Sequence, residues 1–135
     1  MPLLKDLLAG PGKLPVASKY TIANGRIYLA SGLMFVVWPG AVQRVFLDSA
    51  FTGREAGLVR VLGATVAIIG WLYVFGGRSG GRQVVAATVI DRLLFVPIVL
   101  VPVAVTGVFP HVLITFAILD PSLAVVGWLM LRRSE

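Results

Sequence analysis

Five ionisable side chains sit inside otherwise apolar stretches of this chain: Arg26, Arg60, Asp91, Arg92 and Asp120. In hydrocarbon a charge at mid-depth costs at least about 2.5–3.5 kcal/mol, so such a residue turns inward and finds a partner. The chemistry open to the set is narrow. The carboxyls can accept hydrogen bonds or carry a proton, and the guanidiniums can only donate. The chain has no cysteine and a single histidine, His111. That excludes disulfides, thiolate chemistry and a histidine-built metal cluster. The five residues are therefore read as a candidate intramembrane polar network. No catalytic, cofactor-binding or metal-binding residue is assigned, and no cofactor is implied.

Asp91 and Arg92 are adjacent within the apolar run Thr88–Val105. Neighbours on a helix point about 100° apart and do not face each other. They are thus expected to act as separate hooks. At about 1.5 Å of rise per residue, both lie roughly 10–12 Å from the start of their helix, and Asp120 lies about 12 Å from the opposite end of the next one. These depths make Arg26–Asp91 and Arg92–Asp120 the expected pairs, with Arg60 competing for Asp120. Alternatively, Asp91 caps a helix starting at Leu93. That helix would span only about 22 Å to Gly107, short of a hydrocarbon core. For the whole set, the structural reading is polar glue fixing helix order, at about 0.6 kcal/mol per interhelical bond.

The elements that must position these residues follow from apolar length. Of 135 residues, 58% are apolar and 13% charged, against about a half and a quarter in soluble domains. A 30 Å core needs about 20 helical residues. Four segments qualify, at about 21–38, 57–75, 84–108 and 112–131. Helices are required because unpaired backbone groups are intolerable in lipid and so few segments cannot close a barrel. The predicted fold is an all-α membrane four-helix bundle over residues 20–135. Residues 1–19 are read as a retained cytoplasmic segment, either a short surface helix or a flexible tail. They lack the uninterrupted apolar run of a signal peptide.

Basic residues set the orientation. Lys5, Lys13, Lys19, Arg78, Arg82, Arg132 and Arg133 fall on one side of an even number of crossings, with only Arg44 and Arg54 in the opposite loops. The positive-inside rule puts both termini in the cytoplasm. The net charge of +6 points to anionic lipid headgroups and not to nucleic acid. In the first outer loop, apolar residues recur at helical spacing over residues 41–50, and Arg44 and Asp48 stand four apart. This predicts a short interfacial helix. Phe109-Pro110-His111 is a tight turn that makes helices three and four antiparallel neighbours. Ala67-Ile-Ile-Gly70-Trp71-Leu72 is echoed by Ala124-Val-Val-Gly127-Trp128-Leu129, as a duplicated helical hairpin would produce. Pro97, Pro102 and Pro121 free backbone carbonyls and invite bends. Small residues at Ser31, Gly32, Gly63 and Ala67 allow close contact of helices one and two.

The order Arg26-x-Tyr28-x-x-x-Gly32, Pro39, Arg60-x-x-Gly63, Gly70-x-x-Tyr73 and then Arg92 resembles small bacterial four-helix membrane proteins of the BphX-like and DoxX-like groups. The likeness covers about residues 26–133. It implies the four-helix fold and a multi-pass protein of the bacterial inner membrane, and implies nothing about mechanism.

Three functions fit these observations. The first is a structural or accessory subunit that packs against other membrane subunits or itself. The second is a small, proton-coupled transporter or channel in which Asp120 titrates beside the arginines. The third is an enzyme or binder for a lipid-soluble substrate. An arginine on Asp120 in a dry bundle favours the first; an open cavity there favours the others.

Overall fold

The computed structural model describes residues 2–134, so Met1 and Glu135, the outermost residues of the two predicted segments, lie outside it. Among the described residues the chain is helical, with no strand. The helices are α1 (Pro2–Leu8), α2 (Val16–Val37), α3 (Pro39–Phe46), α4 (Glu55–Arg78), α5 (Arg82–Ile90), a π-turn (Asp91–Phe95), α6 (Val96–Val105) and α7 (Pro110–Arg133). Three helices are long and apolar enough to cross a membrane: Glu55–Arg78, the continuous Arg82–Val105, and Pro110–Arg133. Helix α2 joins them if it is taken together with α3, to which it is bent by 115°.

The bend follows from Trp38-Pro39. A residue before proline avoids the α-region, and Trp38 sits at φ −140°, ψ 74°. Pro39 then opens α3, where its missing N–H costs nothing. Helix α3 lays Val42 into a core with Phe35, Val59 and Val112. It ends on Leu47 in the left-handed region at φ 58°. The short helix expected over 41–50 is thus Pro39–Phe46, and the expected Arg44–Asp48 pair does not form. Asp48 turns instead to the start of α7 and accepts the backbone N–H groups of His111 and Val112, at 2.9 and 3.0 Å. The first N–H groups of a helix lack partners within the helix. Here a carboxylate from a distant loop supplies them, and its charge suits the helix dipole.

Helices α2 and α4 form the tightest pair. Gly25 and Gly32 on α2 face Gly70 and Gly63 on α4, and Gly77 faces Ser18 and Ile22. A Cβ built on Gly25 would lie 2.7 Å from the Gly70 carbonyl oxygen, and one on Gly70 would lie 2.6 Å from that of Gly25. The seven-residue spacing keeps these glycines on one stripe, as in a left-handed supercoil. The two backbones therefore touch along a seam closed to any side chain. The second hairpin is looser. Gly127 on α7 faces Tyr20 and Val89, so the glycine of the echoed motif also points inward, while Trp71 and Trp128 are exposed.

Two apolar cores result. Ala17, Val85, Val89, Ala124 and Leu131 fill the end that carries the termini. Phe35, Val42, Val59 and Val112 fill the other. A polar layer lies between them.

Candidate functional site

The polar layer is built by four elements. Tyr28 comes from α2, Tyr73 from α4, Asp91 and Arg92 from the π-turn, and Asp120 from α7; all five line one cavity of about 40 Å³. The π-turn is what points two consecutive residues into it. Pro97 has no N–H, and its ring would clash with the carbonyl one α-turn earlier. The chain avoids the clash by widening a turn, so that the Val96 N–H bonds to the Asp91 carbonyl, five residues back. A wider turn brings neighbouring side chains closer in direction, and such turns cluster at functional sites.

Each carboxylate is held by a tyrosine. The Tyr28 hydroxyl donates to Asp120 at 2.5 Å, and the Tyr73 hydroxyl donates to Asp91 at 3.0 Å. The two rings meet edge to face, with centroids 5.7 Å apart. Arg92 is 1% exposed. Its Nε donates to the Thr88 carbonyl at 3.0 Å, and its guanidinium lies 5.3 Å from the Tyr73 ring centroid, in cation–π range. Its Nη1 is buried and has no hydrogen-bond partner. An unpaired buried donor is costly and calls for an explanation.

The structure therefore brings together Asp91, Arg92 and Asp120 and leaves out Arg26 and Arg60. The last two are exposed on the outer faces of α2 and α4. The expected Arg26–Asp91 pair is replaced by Tyr73–Asp91, and the expected Arg92–Asp120 pair by Tyr28–Asp120. Asp91 does not cap a helix starting at Leu93, because the helix begins at Arg82, well before it, and runs on through Asp91. The tyrosines carried a signal of their own. A phenol in the middle of an apolar span needs a partner for its hydroxyl, and both acids lie at a matching depth.

The small cavity does not stand alone. Val66, Ile69, Asp91, Val96, Phe116 and Asp120 also line a larger groove of about 280 Å³. The groove runs between α4 and α6, with α7 as its floor, and Leu62, Val99 and Leu113 extend its apolar walls. Phe95 and Val99 at its mouth are 61% and 58% exposed. It opens sideways, on the flank of the bundle, and ends at the two carboxyls. Among the described residues no group of three or more His, Asp or Glu is arranged to hold a metal ion.

Comparison of the chain with protein-family models, with curated proteins and with solved structures finds no match.

Proposed function

We propose that this is a multi-pass membrane protein that binds a lipid-soluble ligand through the flank of its bundle, at the Asp91–Arg92–Asp120 centre. In this reading α2, α4, α5–α6 and α7 each cross once, α3 lies in the far interface, and both termini are cytoplasmic. Apolar length supports the crossings of α4, α5–α6 and α7, the 22-residue length of α2 supports a fourth, and the seven basic residues at one end support the orientation. The bacterial inner membrane, and kinship with the BphX-like and DoxX-like groups, belong to the same proposal.

One observation carries the functional part: the small polar chamber at Asp91, Arg92 and Asp120 shares six lining residues, both carboxyls among them, with an apolar, laterally open groove. Ligand sites are largely apolar with a few convergent polar groups, and span about 300–1,000 Å³. At about 280 Å³ this groove would enclose only part of a lipid, the rest staying in the bilayer. Apolar cores on both sides of the polar layer favour sideways entry over a path from face to face.

A second reading keeps the accessory-subunit role. The groove mouth, with Phe95 and Val99 exposed, would then receive a helix of a partner subunit or of a second copy. Photolabelling of the protein in liposomes with an alkyl diazirine separates the two. Ligand binding predicts adducts concentrated on Phe95, Val99 and Leu113 over Ile68 and Leu72, on the exposed face of α4. Even labelling of both faces would sink the ligand reading. A cross-link from Val99→Cys to another chain in native membranes would favour the subunit role.

A further inference from the structure

Resting on the proposed membrane topology but not on the flank ligand, we infer that α1 and the last two turns of α4 form a second site, which binds an anionic phospholipid of the cytoplasmic leaflet. Helix α1 is not held by its own length or by the bundle. Isolated helices shorter than about 12–15 residues are marginal in water, and α1 has 7 residues and buries none of them in the protein. Leu3 and Leu8 are 75% and 66% exposed. At about 100° per residue, Leu3, Leu4, Leu7 and Leu8 fall within one arc of about 140°, with Lys5 and Asp6 outside it. A helix of this pattern settles with its apolar face about 5–10 Å into the boundary of headgroups and acyl chains. The place of α1 fits that depth. It lies beside Trp71, Phe75 and Arg78 of α4, and Trp71 is about 10 Å from Arg78 at the helical rise.

Between the two helices is a cleft of about 650 Å³, within the range of ligand sites, about 300–1,000 Å³. Leu3, Leu4 and Leu7 wall one side, and Trp71 and Phe75 the other. Hydrocarbon suits these walls. Arg78 supplies the polar end. Its guanidinium lies 5.9 Å from the Phe75 ring centroid, and its Nη2 donates to the Ala9 carbonyl at 2.9 Å, which fastens the chain just after α1. Its Nε is enclosed, but its Nη1 is not, and among the described residues Nη1 has no partner. Asp6 also lines the cleft, yet it forms no ion pair with Arg78. A guanidinium with reachable donors and no carboxylate suits a phosphate. Lys5, Lys13, Lys19, Arg82, Arg132 and Arg133 belong to the same end. A zwitterionic headgroup would bring its own ammonium into that field, and an anionic one would not.

The test uses the full chain in phosphatidylcholine liposomes. Trp38→Phe with Trp128→Phe leaves Trp71 as the only tryptophan. Its quenching is followed against rising fractions of phosphatidylglycerol or phosphatidylcholine brominated on the acyl chains. Brominated phosphatidylglycerol is expected to reach half-quenching at about fivefold lower mole fraction, the preference that one basic side chain confers at an anionic surface. Trp128, left alone by Trp38→Phe with Trp71→Phe, is the control. It sits at the same end, 47% exposed, with the Arg132 guanidinium 5.4 Å from its ring centroid, but it is no part of the cleft. The preference there is expected to be smaller, and an equal one would mark general enrichment at the basic end and overturn the site. Arg78→Gln is expected to remove the preference at Trp71 and to spare that at Trp128. Leu4→Glu, outside the bundle core, is expected to do the same by setting an acid on the apolar wall. A full preference kept by either variant would overturn the proposal. Equal quenching of Trp71 by the two lipids would overturn it too, while leaving α4 in the membrane. No quenching by either would remove the membrane topology with it.

Discussion

At the scale of single residues, the carboxylates do different work at different depths. Asp48, 6% exposed, lies outside the polar layer and spends both oxygens on the first turn of α7. A cap of this kind contributes about 0.5–2 kcal/mol. Asp48→Ala is therefore expected to destabilise the protein by about 1–2 kcal/mol. Asp48→Asn keeps one acceptor oxygen and should cost roughly half as much, because the bond to the other N–H and the favourable charge at the helix start are lost. Thermal unfolding in detergent measures both, and an alanine variant as stable as the parent would remove the capping role. Sequence alone led elsewhere for Asp48. The spacing of four from Arg44 is a local signal, whereas the bond to α7 depends on a left-handed residue at Leu47 that nothing in the side-chain pattern announces. Asp91 and Arg92 were more legible. Their angular separation already forbade a mutual pair. Their partners were not legible, because depth counting ranked charges and passed over the tyrosines, whose hydroxyls reach as far.

At the scale of elements, the glycine seam decides how the site is held. Tyr28 and Tyr73 reach each other from α2 and α4 because those backbones are in contact. A methyl at Gly70 would meet the backbone of Gly25 and Leu29, which cannot give way as a flexible side chain can. Gly70→Ala is expected to cost about 1–3 kcal/mol, the range for overpacking. Gly57 on the same helix meets nothing within 4 Å, so Gly57→Ala should be neutral or stabilise by up to about 1 kcal/mol through helix propensity. The pair of variants, compared by thermal unfolding, separates packing from propensity; equal effects would dissolve the seam. Gly32 and Gly63 were readable as contact residues from their small size. The full stripe was not, since its register appears only when two helices are laid side by side. The three long helices α4, α5–α6 and α7 were readable from apolar length, and α3 from helical spacing. The first helix starts at Val16 and not at Thr21 because Ser18 and Thr21 are buried against the bundle, a tertiary effect that hydropathy does not see. The prolines signalled a disturbance in the third span. Its form, a widened turn at Asp91 and not a sharp bend, depends on what the neighbours of that helix can accommodate.

At the scale of the whole molecule, two asymmetries bear on the proposed membrane topology. The end that carries the termini holds Lys5, Lys13, Lys19, Arg78, Arg82, Arg132 and Arg133, while the other end offers Arg44, Arg54 and the exposed Arg60. The second asymmetry is geometric. Helix α3, turned 115° from α2, lies across the sparsely charged end, as an interfacial helix would. In contrast, α1 sits at the basic end and is tied there by a hydrogen bond from Arg78 to the Ala9 carbonyl at 2.9 Å. Anionic lipid on the cytoplasmic leaflet attracts basic segments by about 1 kcal/mol per residue, so in the proposed topology the sum over seven side chains outweighs the opposing loops and favours cytoplasmic termini. The absence of cysteine makes this directly measurable. Single cysteines at the exposed Ser49 and Ser79 report the two ends without removing any native thiol. In right-side-out spheroplasts, a membrane-impermeant maleimide is expected to label Ser49→Cys at once and Ser79→Cys only after permeabilisation. The reverse order would invert the topology, and labelling of both before permeabilisation would count against four crossings. The same pattern bears on the site. In the proposed topology the groove between α4 and α6 opens toward lipid, which is the direction from which a lipid-soluble ligand would arrive.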